Sequence, residues 1–343
     1  MTLRIHFTPA DVARVRLADG PHPLRELAAA VRMLQVPDRP LGFAAWGRRA
    51  LSGLDRRTRL LFDVLPGRAS SADFLTTAEP GSVSDMLESV RRTPARRLRT
   101  DMERWAELVP RVPAEARRVG DDPRRLHLLV DVMEQTYERV VAPYWPRIAH
   151  LAAADRATRS RHFAEDGLEK VLNGLNPRWI RWRPPVLEVR LVSGHSGDVH
   201  LNGRGLLLIP TVFQTLAPTL GHSDSAQPWL SYPIGGADAL SRPTANDITT
   251  AQLLADVPQS LITLLGRTRA RVLYTIAEHP GSTTSEVARH LGISPASASE
   301  HATALRACAL TDVHRDRNRI LHTLTPAGTT LLNASTPTLQ LPR

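Results

Sequence analysis

The sequence predicts an α+β fold, because helical and strand patterns occupy separate stretches of the chain instead of alternating. Residues 1–178 show mostly helical apolar spacing, residues 186–234 read as short strands, and residues 253–335 combine short helical patterns with a hairpin. A length of 343 residues suggests two or three domains. We therefore predict a mainly helical N-terminal domain with a small β-sheet over 1–250 and a second domain over 253–335.

Three stretches of the N-terminal domain place apolar residues on one face of a helix. In "PLRELAAAVRML" these are Leu24, Leu27, Ala28 and Val31, and "RRLHLLVDVMEQTYERVV" and "GLEKVLNGL" repeat the spacing. Such stripes are typical of amphipathic helices that pack on a core. Prolines recur through this region and predict that its helices are short.

The next stretch changes from helical spacing to alternation. The segments "PPVLEVRLVSG", "DVHLNGRGLLLIPTVF" and "PWLSYPI" alternate or cluster apolar residues between Gly, Ser and Pro turns, which indicates strands. We predict that "APTLGHSDSAQP" is an exposed loop inside this sheet. The polar segment "GGADALSRPTANDITTAQ" then leads into the last domain at about Leu253.

Two consecutive helices are marked by their capping residues in "STTSEVARHLGISPASASEHATALRACALT". Glu286 stands three residues after Thr283, which fits a capping box at the start of the first helix. Gly292 supplies a left-handed stop, and Ser294 caps the second helix, with a proline at its first position. The sequence therefore predicts a helix, a tight turn and a second helix.

The second of these helices has a polar side and an apolar face made mostly of small residues. Ala298, Ala302 and Leu305 share one face, and the rest of the surface carries mainly short polar side chains. A helix in a DNA major groove needs short donors and acceptors near its N-terminus, although a plain surface helix would look similar. The predicted DNA-contacting residues of this helix are Ser297, Ser299, Glu300, His301, Thr303 and Arg306.

The segment that follows favours DNA binding over a plain surface helix. "TDVHRDRNRILHTLT" predicts a strand, a turn at 316–318 and a second strand, with Arg315, Arg317 and Arg319 at the tip. Guanidinium groups on such a wing would neutralise phosphates or enter the minor groove. "TPAGTTLLN" then begins a closing helix capped by Thr325. The whole order predicts a winged helix-turn-helix domain.

These motifs resemble a known family. Residues 261–332, through "SEVARHLGISPASASEHATALRACALT" and "LHTLTPAG", resemble the winged-helix domain of ArsR-type bacterial transcription regulators. Residues 1–250, through "RIHFTPADVARVRLADGPHPLRELAAAVRML", "RRTRLLFDVLPGRASSADFLT", "GLEKVLNGLNPRWIRW" and "GRGLLLIPTVF", resemble the long N-terminal domain of an actinobacterial group of such regulators. The resemblance implies a homodimer that binds double-stranded DNA.

The sequence departs from this family pattern at three positions and in its metal ligands. The family usually has residues larger than alanine at Ala298 and Ala302, and glycine at Ala309. Family metal sensors carry several cysteines or His/Asp pairs, whereas this chain has one cysteine and a terminal helix without His, Asp or Glu. We therefore expect no metal site and no cofactor.

The net charge of +10 fits a nucleic-acid partner only in part. Lys170 is the only lysine among the 44 basic residues, and this arginine bias is equally typical of a GC-rich genome. Residues 261–343 are proportionally the most basic, with nine basic and five acidic side chains. Because the N-terminus lacks the apolar core of a signal and no apolar run spans a bilayer, we expect a cytoplasmic protein, nucleoid-associated when bound to DNA.

Other stretches suggest chemistry less strongly. "SGHSGDVH" begins like a nucleophile elbow, but Asp198 stands where glycine is required, so we expect no enzyme. His195 and His200 lack a third metal ligand. In "NPRWIRWRPP" the tryptophans would stack bases or, as we expect, anchor the core. Cys308 is expected to be a buried thiol.

The combined prediction is a homodimeric transcription regulator, expected to be a repressor, that binds an inverted repeat. The N-terminal domain would sense a non-metal small molecule or support dimerisation, with no effector-binding residue identified. The alternative is an N-terminal enzyme or protein-interaction module whose winged helix makes protein contacts. The arginine-tipped hairpin favours the first hypothesis, because a protein-binding winged helix would not need it.

Overall fold

The structure is a computed structural model of the chain. It has an α+β fold, as the sequence predicts. Contacts divide the described residues into two units, the first comprising 2–36 and 49–234 and the second 43–48 and 257–335. The structure describes residues 2–36, 43–67, 71–76, 81–109, 112–177, 179–191, 193–214, 217–221, 227–234, 257–278, 281–316 and 319–335.

Helices dominate the chain up to residue 175. They are α1 (Pro9–Val12), α2 (Pro23–Leu34), α3 (Ala44–Ser52), α4 (Thr58–Val64), α5 (Val83–Arg91), α6 (Ala95–Leu108), α7 (Ala114–Arg117), α8 (Pro123–Val140) and α9 (Trp145–Leu175). The long helix α9 is interrupted at Gly167, whose φ of 75° lies in the left-handed region. None of the described helices is long and apolar enough to span a membrane.

Two four-stranded mixed sheets complete the first unit. One has the order β3-β4-β1-β5, with β1 antiparallel to β4 and parallel to β5. The other has the order β2-β6-β8-β7, with β8 parallel to β6 and antiparallel to β7. The strands are β1 (Leu3–His6), β2 (Arg16–Leu17), β3 (Ile180–Arg183), β4 (Val186–Val189), β5 (Gly197–His200), β6 (Leu207–Thr211), β7 (Thr219–Gly221) and β8 (Trp229–Pro233).

Three strands differ from the sequence prediction. The stretch 1–178 is not purely helical, because β1 and β2 lie in it, and β1 occupies an inner position of its sheet. Leu3 and Ile5 are buried and alternate with more exposed residues, but a four-residue strand is too short to stand out from its surroundings. The predicted loop "APTLGHSDSAQP" is wrong at Thr219–Gly221, which pairs with β8, and residues 222–226 lie outside the described part.

Helix α2 is buried on every side. Leu24, Leu27 and Val31 face the core as their spacing predicts. Arg25, Glu26 and Arg32 are buried as well, with exposed fractions of 5%, 0% and 8%. The reason is that α2 packs against α4, α5 and α8 and also against β6, so it has no face left for water.

The second unit has its own order of elements and its own core. The order is α10 (Gln259–Leu265), α11 (Arg267–Glu278), α12 (Thr284–Leu291), α13 (Pro295–Ala307), β9 (Thr311–Asp316), β10 (Arg319–Leu324) and α14 (Pro326–Ser335). Helix α11 lies at the centre, in contact with α10, α12, α13, α14 and β10. The core includes Leu261, Val272, Leu273, Ile276, Val287, Leu305 and Leu332.

Candidate nucleic-acid interface

The turn between α12 and α13 forms as its sequence predicts. Thr283 caps α12 and accepts a hydrogen bond from the Glu286 amide, while the Glu286 carboxylate accepts from the Thr283 amide at 2.8 Å. Gly292 ends α12 with a φ of 65°, a backbone conformation that disfavours a side chain. Ser294 then caps α13 by accepting from the Ser297 amide at 3.1 Å. These contacts fix where α13 begins.

Helix α13 is buried along one narrow line. Ala298, Ala302 and Leu305 are 0%, 4% and 1% exposed, as predicted, and the helix packs against α11 and α12. Two of these three residues are alanines, so the helix axis lies close to its neighbours and most of its circumference faces away from them. Arg271 supports this arrangement by donating to the carbonyl of Leu291, the last residue of α12, at 3.1 Å.

The opposite side of α13 presents the polar residues that the sequence singled out. Ser299, Glu300, Thr303 and Arg306 are exposed, while Ser297 and His301 are half-buried. Within the described part of the chain, the side chains of Ser299, Glu300 and Thr303 make no hydrogen bond or ion pair. Short polar groups without intramolecular partners are available to bind a ligand that reaches this surface.

Strands β9 and β10 form the predicted antiparallel ribbon. Asp316 pairs with Arg319, so residues 317 and 318 connect the strands. Arg317 lies outside the described residues, and the side chains of Arg315 and Arg319 are outside them too. The structure therefore places the backbone of the ribbon, and the three arginines are assigned to its tip by sequence position.

A third segment joins the ribbon just before α12. Ser282 forms a bridge with His322 of β10, and the His322 amide donates to the Ser282 carbonyl at 2.9 Å. The Gly281 amide in turn donates to the His322 carbonyl at 2.8 Å. These backbone bonds hold the ribbon against the start of α12, so the position of the ribbon relative to α13 is determined by the fold.

His322 is a residue that the sequence analysis missed. Its side chain is 7% exposed, and its Nε2 lies 2.9 Å from the hydroxyl of Thr284, the first residue of α12. Burial lowers the pKa of His322, and the positive charge of Arg306 on α13 lowers it further. The imidazole thus connects the ribbon with α12, and only the alternation in "RILHTL" hinted that it points inward.

The exit from α13 contains one strained residue and one corrected prediction. Ala309 has a φ of 54°, and its carbonyl accepts a hydrogen bond from the Thr325 hydroxyl at 2.5 Å. Cys308 was predicted to be buried, but its thiol is exposed. The reason is that α13 ends at Ala307, so the buried line through Leu305 does not continue to the cysteine.

The second half of the enzyme-like stretch "SGHSGDVH" forms strand β5, where Asp198 and His200 belong to a polar cluster on the first sheet. Asp198 accepts from Arg4 at 2.7 Å and contacts the His6 ring nitrogen at 2.6 Å, and His6 stacks on His200 with 4.5 Å between ring centroids. Among the described residues, no group of three or more His, Cys, Asp and Glu side chains could hold a metal ion.

The tryptophan cluster "NPRWIRWRPP" packs into the first unit at Trp182. This residue is 9% exposed and meets Phe7 edge to face at 5.0 Å, so the core interpretation is confirmed for it. Arg178 lies outside the described residues. A flat base could not stack on the Trp182 ring without displacing core residues, whereas Trp179 is half-buried.

Comparison of the chain with family models, curated proteins and solved structures found no match. The resemblance to ArsR-type regulators thus stays a prediction from the sequence. The geometry of α12, α13 and the ribbon is the basis for a functional proposal.

Proposed function

We propose that the protein is a DNA-binding transcription regulator whose second unit is a winged helix-turn-helix of the ArsR type. The observation that carries the proposal is the free polar face of α13. Ser299, Glu300 and Thr303 are exposed and have no intramolecular partner among the described residues. On the other side of the helix, small alanine side chains pack against the rest of the second unit. Helices of this kind fit a major groove about 12 Å wide.

Each polar residue of α13 has a role that its chemistry suits. The Glu300 carboxylate accepts a hydrogen bond from a cytosine amine, and the Ser299 and Thr303 hydroxyls donate to or accept from base edges. Arg306, at the last turn, contacts the backbone phosphates. Ser297 and His301 lie at the margins of this surface, where half-burial limits them to contacts at the rim of the groove.

The ribbon supplies the contacts that do not depend on sequence. Arg315, Arg317 and Arg319 stand within five residues at its tip. Arginines at such a tip neutralise phosphates and release bound counterions, so the affinity falls steeply as salt rises. The bridge between Ser282 and His322 supports this role, because it fixes the base of the ribbon beside α12.

A regulator of this type acts as a homodimer on an inverted repeat. Two copies related by a two-fold axis would place their α13 helices in half-sites about 10 base pairs apart, or a multiple of that. The first unit would then modulate DNA affinity through dimer geometry or through a small molecule that binds one of two conformations better.

The test is a fluorescence-anisotropy titration of the full-length protein with a duplex from its own promoter region at two salt concentrations. We expect a steep salt dependence, because several phosphates are neutralised. Arg317→Ala should weaken binding to all duplexes to a similar degree and reduce the slope of log affinity against log salt by roughly one.

Arg183→Ala is the matched control, since Arg183 is an exposed arginine on β3 in the first unit. It should leave both the affinity and the slope unchanged. Absence of salt-dependent duplex binding would contradict the proposal and favour a protein partner for the second unit. If the slope of log affinity against log salt were the same for Arg317→Ala and wild type, the tip of the ribbon would not contact the DNA.

A further inference from the structure

Arg25 in α2 occupies an unusual position for a charged side chain. It is 5% exposed, and its guanidinium carbon lies 3.3 Å from the centroid of the Trp229 ring. At this distance the planar guanidinium lies flat on the indole, an arrangement that cation–π attraction stabilises. The stack occupies the face of the guanidinium and directs its N–H groups outward in the plane.

Trp229 is held firmly beneath the arginine. The residue begins β8, where it pairs with Gly221 of β7. A Cβ atom at Gly221 would lie 2.1 Å from the indole, so the ring lies directly across the glycine backbone. The glycine permits this close approach, so the indole packs on the Gly221 backbone while Arg25 stacks on the ring.

Two of the three guanidinium nitrogens of Arg25 have no acceptor within the described part of the chain. Its Nε and Nη1 atoms are buried and make no hydrogen bond within the described part of the chain. Asp73 is close enough to raise the pKa of Arg25, but burial outweighs it and lowers the pKa to about 9. A buried cation whose donors lack acceptors is energetically unfavourable unless another group supplies them.

The neighbouring charges on α2 do not supply this acceptor. The Glu26 carboxylate already accepts the Val212 amide at 2.8 Å and the Phe213 amide at 3.1 Å. Arg32 lies seven residues further on, about 10 Å along the same side of the helix. It is 8% exposed, and its Nε is also without a partner among the described residues. This side of α2 therefore has an excess of buried positive charge.

We propose that Arg25, stacked on Trp229, is the centre of a binding site for a small organic anion. The oxygens of a carboxylate or a phosphate group accept its unpaired in-plane N–H groups, and Arg32 adds to the positive potential. Each of these hydrogen bonds joins two charged groups, which makes it shorter and stronger than a bond between neutral groups. That such an anion is the effector of a DNA-binding regulator rests on the proposed function, whereas the binding itself does not.

The experiment measures thermal unfolding of the full-length protein in rising sodium benzoate or sodium phosphate, against sodium chloride at equal ionic strength. Wild type should show a saturable rise in Tm with at least one of the two oxyanions, because a ligand of the folded state stabilises it. Arg25→Met should abolish the rise, while without anion its Tm should equal or exceed that of wild type, because an unpaired buried charge is removed. Arg183→Met, at an exposed arginine, should keep the rise.

Two further variants cover the case in which Arg25→Met does not fold. Arg25→Lys keeps the charge but loses the planar fork, and it should bind the anion at least tenfold more weakly. Trp229→Phe should lose the change in tryptophan fluorescence that the anion causes in wild type. A wild-type protein without an oxyanion-specific rise, or an equal rise in Arg25→Met, would overturn the site.

A DNA titration with the same anion separates this inference from the proposed function. A shift in DNA affinity in wild type that is lost in Arg25→Met supports the effector role. Anion binding without any shift in DNA affinity overturns the effector role and supports the site alone. Anion binding by a protein that binds no DNA contradicts the proposed function and again supports the site.

Discussion

Helices α2 and α13 have nearly equal lengths, 12 and 13 residues, yet their polar side chains have opposite environments. Helix α2 buries every residue, including Arg25, Glu26 and Arg32, whereas α13 buries only Ala298, Ala302 and Leu305. The buried charges of the first unit can affect the stability of the fold or bind a small ligand that reaches them. The polar face of α13 is open to a macromolecule. The contrast agrees with our two proposals, in which the first unit binds a small anion and the second binds DNA.

The two units also contain buried titratable groups with opposite pKa directions. Burial raises the pKa of Glu26 to about 7, against a usual value of 4.5. Burial and the Arg306 charge lower the pKa of His322 below its usual value of 6.5. Stability contributed by Glu26 is therefore lost as pH rises from 4.5 to about 7, while that contributed by His322 is lost as pH falls below 6.5.

The largest effect is expected from a substitution on the buried side of α13. Leu305 is 1% exposed and is the one large residue on the buried line. Leu305→Ala should cost about 2–5 kcal/mol of unfolding free energy, because alanine neighbours cannot fill the cavity. The measurement is hydrogen exchange of α11–α13 peptides by mass spectrometry. Leu108→Ala, at a leucine that is 44% exposed, should leave exchange in these peptides unchanged, and an equal loss would refute the packing account.

A second change tests the buried charge of Glu26 in α2. The shift of its pKa from 4.5 to about 7 limits its pH-dependent effect on the unfolding free energy to at most roughly 3 kcal/mol. The unfolding free energy of wild type minus that of Glu26→Gln should fall by up to this amount as pH rises from 4.5 to 7, because only wild type titrates. Urea unfolding at several pH values measures it. Glu134 is exposed, so the corresponding free-energy difference for Glu134→Gln should not change with pH. A free-energy difference for Glu26→Gln that does not change with pH would contradict the burial argument.

The sequence predicted α13 well and α2 only in part, for a physical reason. Capping residues such as Thr283 and Ser294 act on their own backbone, so local sequence reveals them. The burial of Arg25 depends on Trp229, which is distant in sequence, and helical periodicity assigns such a residue to the solvent side. The strand Leu3–His6 was missed because its partners, β4 and β5, lie far along the chain.

A smaller effect is expected where α13 ends. Ala309 has a φ of 54°, which is strained for a residue with a Cβ. Ala309→Gly should therefore stabilise the protein by about 0.5–1 kcal/mol. Chemical denaturation measures the change. Ala304→Gly, within α13, should have the opposite sign, at about 1 kcal/mol of destabilisation. A destabilising Ala309→Gly would show that the turn is not strained.

The most direct test of the central claim is selection of binding sites from a random duplex pool by the full-length protein. If α13 reads bases, wild type should enrich an inverted repeat, and Thr303→Ala should change the preferred bases within each half-site. Thr100→Ala, at an exposed threonine of α6 in the first unit, should select the wild-type repeat. Failure of wild type to enrich any repeat, or an unchanged preference in Thr303→Ala and Glu300→Ala together, would contradict the claim that α13 is the DNA-reading helix.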